Sequence, residues 1–148
     1  MLIKTVVLGT GLAALCAATA MAQTEIATGP FTEAQIEEGR KVYFARCASC
    51  HLPTMAGQGD ALALAGYQFM AGWKNLTTQD LYKLIRSSMP KDAPLDDQAS
   101  ANVTAYILHA NGAKAGPTSF LAAPPLRIDL IANGNAPSDL GTPPPRAP

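Results

Sequence analysis

The run Cys47-Ala48-Ser49-Cys50-His51 constrains this chain more than any other feature. Two of its three cysteines and one of its two histidines fall within five residues. Thiols three positions apart, followed at once by a histidine, match one chemistry closely. Each thiol can add across one of the two vinyl groups of a single haem, and the next residue then lies under the iron. The spacing therefore reads as c-type haem attachment, with Cys47 and Cys50 as the covalent anchors and His51 as an iron ligand. Two other chemistries use similar residues. A zinc site needs four ligands. Cys47, Cys50, His51 and His109 could supply them, but adjacent Cys50 and His51 rarely reach one tetrahedral ion together. A thiol–disulfide site prefers its first cysteine at a helix N-terminus, where the dipole lowers the thiol pKa. Here the pair follows a predicted helix.

The compartment agrees with haem attachment. Residues 1–22 read as an export signal: Lys4, an apolar run from Thr5 to Ala20, and a small-x-small site ending at Ala22. Cleavage there leaves a periplasmic chain from Gln23 to Pro148. Cys16 departs with the signal, and the mature chain holds no cysteines besides the pair. A retained membrane anchor is the alternative, but the apolar run is short for a span of roughly 20 residues. After cleavage no stable membrane span is expected. Lys+Arg and Asp+Glu both number 11. That balance argues against a nucleic-acid partner, which calls for a basic excess.

Three helices are predicted, giving an all-α fold. The first opens at Thr32, where "FTEAQI" carries a capping box with Gln35 and a Phe31–Ile36 staple. Ile36, Gly39, Tyr43 and Cys47 follow at helical spacing. The second opens at Thr77 with a Leu76–Leu81 staple, buries Leu81, Leu84 and Ile85, and stops at Pro90. The third is capped by Asp96 or Asp97, carries a stripe of Val103, Tyr106, Ile107 and Ala110, and ends at Gly112. Residues 52–75 read as a Gly/Ala-rich loop. The domain layout is a signal over 1–22, a short arm over 23–30, a helical haem domain over 31–113 and a Pro-rich tail over 114–148. Eight of the twelve prolines lie in that tail. It reads as extended or disordered. The apolar insert "PLRIDLIANG" within it reads as a segment that docks on a partner subunit.

A helical region of about 80 residues is a marginal core without a cofactor. One haem c per chain, with its iron, supplies that support. The second axial ligand must come from distant sequence. Met55, Met70, Met89 and His109 are candidates, with Met21 outside the mature chain. Met89 is preferred, because it stands at a helix end held by Pro90, one turn beyond Ile85. His/Met ligation fills both axial sites, raises the potential and favours electron transfer over substrate chemistry.

"CASCH", "SMP" and "VTAYILHANG" together resemble class I c-type cytochromes over Thr32 to Gly112. The resemblance extends to small soluble bacterial carriers and to cytochrome subunits of periplasmic dehydrogenases. It implies a first and last helix that cross over the haem edge, with Gly39 meeting Tyr106. It also implies a backbone carbonyl that accepts from the proximal histidine. The family often has Pro-x-Leu-x-Gly there, and "LALAG" puts Leu62 in place of the proline. The implied function is a one-electron carrier without enzyme activity, either free or as a subunit of a dehydrogenase complex. A dehydrogenase would be the donor, and an oxidase or another cytochrome the acceptor. Lys83, Arg86 and Lys91, against Asp80 and Asp92, give a weak basic bias near Met89. The competing readings are a haem enzyme or gas sensor with a labile distal ligand, and a haem-free helical module.

Overall fold

A computed structural model describes residues 27–145. The predicted signal lies outside the described residues. Five helices carry the architecture: α1 (Glu33–Arg46), α2 (Ala48–His51), α3 (Gly66–Trp73), α4 (Thr78–Ser88) and α5 (Asp97–Ala110). Among the described residues there is no strand, only two isolated antiparallel bridges. No helix of the described residues is long and apolar enough to cross a membrane.

Local hydrogen bonds start each of the three predicted helices. Thr32 Oγ1 accepts the Gln35 N–H, and the Gln35 side chain accepts the Thr32 N–H in return. Thr77 and Asp80 repeat the arrangement at α4. At α5 the cap is Asp96, whose carboxylate accepts the Ala99 N–H at 2.7 Å. Such caps satisfy amide groups that have no partner within the helix. α5 stops as Gly112 adopts φ +92. The Gly112 N–H then donates to His109 and the Ala113 N–H to Leu108, a Schellman closure.

Helices α1 and α5 form the main packing contact. α5 is enclosed on all sides from Ser100 to Leu108. Gly39 of α1 faces Asn102 and Tyr106 of α5. A Cβ at Gly39 would overlap the Asn102 carbonyl and lie 2.9 Å from Tyr106 Cβ. The glycine therefore allows the crossing that the resemblance implies. On α4, Leu81 and Ile85 are buried, whereas Leu84 stays 44% exposed.

Two expectations change. Residues 52–75 are not all loop, because α3 occupies Gly66–Trp73 and buries Phe69. The tail's apolar insert does not stand free for a partner. Its Ile128, Ile131 and Ala132 are buried in this chain's own core, with Phe120 just ahead of them, while Leu130 stays 55% exposed. The physical reason is local: α4 and α5 leave apolar faces within reach, and covering them in cis needs no second molecule. Residues 117–135 form a strap. Its backbone bonds to the start of α4 through Thr78 N–H to Leu126 O and Ile128 N–H to Leu76 O, at 2.8 and 2.9 Å. Its other end bonds to Asn111, whose carbonyl accepts the Asn133 and Gly134 N–H groups. Ahead of α1, the arm pairs with the chain after α5, through Gly29 N–H to Lys114 O and Gly116 N–H to Phe31 O.

Candidate functional site

The cysteine–histidine run sits where α1 ends. The Cys47 N–H donates to Tyr43 O at 2.8 Å, closing α1. The single turn of α2 then brings His51 N–H to Cys47 O at 2.9 Å. Cys47, Cys50 and His51 therefore share one tight turn. No disulfide joins the two cysteines; Cys47 is half-buried and Cys50 exposed. Burial pushes the Cys47 thiol up to about 11, with Arg46 drawing it down and Cys50 raising it slightly.

His51 has a defined ring orientation. Its Nδ1 lies 2.8 Å from the carbonyl oxygen of Leu62. A carbonyl only accepts, so Nδ1 carries a proton, and Nε2 is the ring nitrogen left to face a metal. Leu62 thus fills the role that the resemblance assigns to a proline, and its backbone serves as well. The loop around His51 is held at several points. Tyr43, buried on α1, donates its hydroxyl to Leu52 O at 2.7 Å. Gly57 N–H donates to His51 O at 3.0 Å. A Cβ at Gly57 would lie 2.8 Å from the Leu62 carbonyl carbon, so only glycine lets the loop back onto that segment.

The remaining candidates lie elsewhere. Met89 caps the C-terminus of α4, half-buried, with extended backbone leaving the helix. Met55 is fully buried in the core, and Met70 is half-buried in α3 against it. His109 is half-buried near the end of α5, with Nδ1 3.2 Å from Ala113 O. Among the described residues no group of three or more His, Cys, Asp or Glu is gathered to hold a metal ion, so the four-ligand zinc arrangement is not assembled. Arg86 is engaged with Asp97 at 2.5 Å, which holds the Asp97 carboxyl below its usual range and leaves Lys83 and Lys91 as the cations near Met89.

Sequence reasoning missed Asn111. It is fully buried, and its side chain donates to Leu64 O at 2.9 Å and Ile107 O at 2.8 Å. Its Oδ1 accepts the Gly66 N–H at 2.9 Å. The Asn-Gly pair was legible only as a helix stop.

Two cysteines three positions apart, followed at once by a histidine whose ring is oriented by the Leu62 carbonyl, fit a covalently bound haem. The large apolar side chains at Leu62 and Tyr67 are 77% and 86% exposed. Comparison with known proteins agrees. The family model described as cytochrome C oxidase, cbb3-type, subunit III, matches residues 34–107. Among solved structures, the chain is similar to the sulfane dehydrogenase SoxCD from Paracoccus pantotrophus. The identity is 21% over 84% of this chain and 68% of that chain, with a TM-score of 0.44. A comparison with curated proteins finds no match. The chain therefore belongs to the c-type cytochromes of that cbb3-type subunit III family, binding haem c covalently and transferring electrons.

Proposed function

We propose that the chain is exported, loses residues 1–22 and works in the periplasm as a one-electron carrier. In this reading Cys47 and Cys50 would hold the haem through two thioethers, and His51 and Met89 would ligate its iron. The observation that carries it is the His51 Nδ1 bond to Leu62 O, which orients the ring and frees Nε2. Haem c, when bound, would supply an iron able to take up and release one electron. Each thiol would add its S–H across one vinyl group of the haem, so no oxidant and no leaving group is needed. The Leu62 carbonyl fixes the orientation of the His51 ring. Met89, a soft neutral thioether, favours ferrous iron and raises the potential. With His51 and Met89 both on the iron no site would remain for substrate, which favours protein partners: a dehydrogenase as donor, and an oxidase or another cytochrome as acceptor.

Three measurements test this. The red colour should stay with denatured protein through acid–acetone extraction; loss to the organic phase would disprove the thioethers. Met89→Ala should keep the haem, lower the potential and admit carbon monoxide, while Met70→Leu should do none of these. The reverse outcome moves the ligand to Met70. Rapid, full carbon monoxide binding by the unaltered ferrous protein would replace the carrier with a haem enzyme or gas sensor. Separately, the mass of the secreted protein should correspond to a chain beginning at Gln23.

A further inference from the structure

We infer that Asn111 is a positioning residue for the proximal side of the haem, and that the C-terminal strap tunes the iron through it. The inference rests on His51 being an iron ligand. The Leu62 carbonyl that orients His51 belongs to a residue whose side chain is 77% exposed, so its own packing does not hold it. The backbone on its C-terminal side is held instead. Two residues on, the Leu64 carbonyl accepts from Asn111 Nδ2, and the Leu64 N–H donates to Met55 O at 2.8 Å. Two residues further, the Gly66 N–H donates to Asn111 Oδ1. One buried amide thus grips both ends of the 64–66 segment. Its partners fix its orientation, because Nδ2 faces two carbonyls and Oδ1 faces an N–H.

Asn111 is held in turn by the strap. Its carbonyl accepts the Asn133 N–H at 3.0 Å and the Gly134 N–H at 2.9 Å. Neighbouring contacts are equally close. A Cβ at Gly112 would lie 2.6 Å from Asn133 Oδ1, and one at Gly134 would lie 2.9 Å from Met70 Cγ and 3.5 Å from the Gly66 carbonyl carbon. Strap, Asn111 and the 64–66 segment form one hydrogen-bonded array whose far end is the His51 ring. The sign follows from ligand chemistry. A firm Nδ1–H···O bond makes the imidazole a more basic ligand. A more basic ligand favours ferric iron, so loosening the array raises the potential.

The test uses the full, haem-loaded protein. Asn111→Ala removes the side-chain grip. Gly134→Val leaves Asn111 intact but strains the strap at φ +83 and drives a side chain into Met70. Thr32→Ala, which removes the α1 cap, controls for general destabilisation. In equilibrium titrations, Asn111→Ala should raise the ratio of reduced to oxidised protein at a fixed poise roughly threefold, about 28 mV for a one-electron couple. Gly134→Val should shift it less in the same direction, and Thr32→Ala should leave it unchanged. Hydrogen exchange of the His51 Nδ1–H, followed by NMR, should speed up in the first two variants only. If Asn111→Ala fails to fold, Gly134→Val decides alone. Unchanged or lowered potentials with unchanged exchange, or an equal shift in Thr32→Ala, overturn the inference. If the unaltered protein lacks a histidine-ligated haem spectrum, the ligand reading itself fails, which is a distinct result.

Discussion

Gly39→Ala is a sharp test of the helix crossing, because the same substitution at Gly72 should act in the opposite direction. Both glycines lie in helices, and alanine gains roughly 1 kcal/mol of helix propensity at such positions. At Gly72 nothing lies within 4 Å of the new Cβ, so the gain stands and Gly72→Ala should stabilise by about 0.4–1 kcal/mol. At Gly39 the new methyl group meets the Asn102 carbonyl and Tyr106 Cβ. These atoms belong to backbone and side-chain root, so no rotamer change removes the overlap, and α1 and α5 must move apart. Overpacking costs about 1–3 kcal/mol, and contact with backbone belongs at the upper end. After the propensity gain is set against it, Gly39→Ala should destabilise by about 1–2 kcal/mol. Denaturant unfolding of the loaded protein, followed by far-ultraviolet circular dichroism, measures this as a lower midpoint at unchanged slope. In a thermal melt each kcal/mol lost should lower Tm by about 4 °C. If Gly39→Ala stabilises as Gly72→Ala does, the close crossing is wrong.

Three further perturbations follow. Phe120→Ala should cost about 3–5 kcal/mol in the same unfolding assay, because this strap residue is 1% exposed and packs on Tyr82; a loss below about 1 kcal/mol would mean the strap is not docked. Burial holds the Tyr43 hydroxyl well above the ordinary tyrosine pKa of 10.0, so its contribution is complete below that pH and is lost as pH rises beyond it. Tyr43→Phe should therefore flatten the alkaline side of the stability–pH curve while weakening the protein by about 1 kcal/mol at neutral pH, through the lost bond to Leu52. Hydrogen bonds from Thr77 hold the exposed Asp80 carboxyl below its usual 3.8. Its contribution is present above that value and fades as pH falls through the lower folded one. The stability gap between unaltered protein and Asp80→Asn should accordingly narrow in acid; a gap that widens would contradict the capping role.

What the sequence revealed, and what it hid, divides by range. The caps at Thr32, Thr77 and Asp96 act over three residues, so their partners are visible in the same few letters. The Cys47–His51 turn is equally local. Helix α3 was hidden because "GYQFMAGW" carries two glycines and no side-chain cap. Its first N–H is satisfied by Asn111, 45 residues away, a partner that no local pattern reveals. The tail was misjudged for a related reason. Ile128 and Ile131 announce that they need cover, but hydrophobicity has no address, and cover in cis looks the same in sequence as cover by a partner. Leu62 shows a third case. Its role belongs to a backbone carbonyl, so the resemblance could transfer the position even though the residue type differs.

The crossing of α1 with α5 also orders events in time. Gln35 on α1 reaches its buried partner Asn102 across 67 residues, and Gly39 has nothing to pack against until Tyr106 exists. While the chain folds, α1 therefore stays unpartnered until α5 forms, with the two thiols that follow it still on open chain. Long-range contacts of this kind close slowly. The delay leaves Cys47 and Cys50 on an open chain for as long as α5 is missing, and closure then stiffens the turn that carries them. A substitution that hastens collapse of the first fifty residues on their own would shorten that interval, and its cost would appear as a smaller fraction of chains carrying haem rather than as a less stable product.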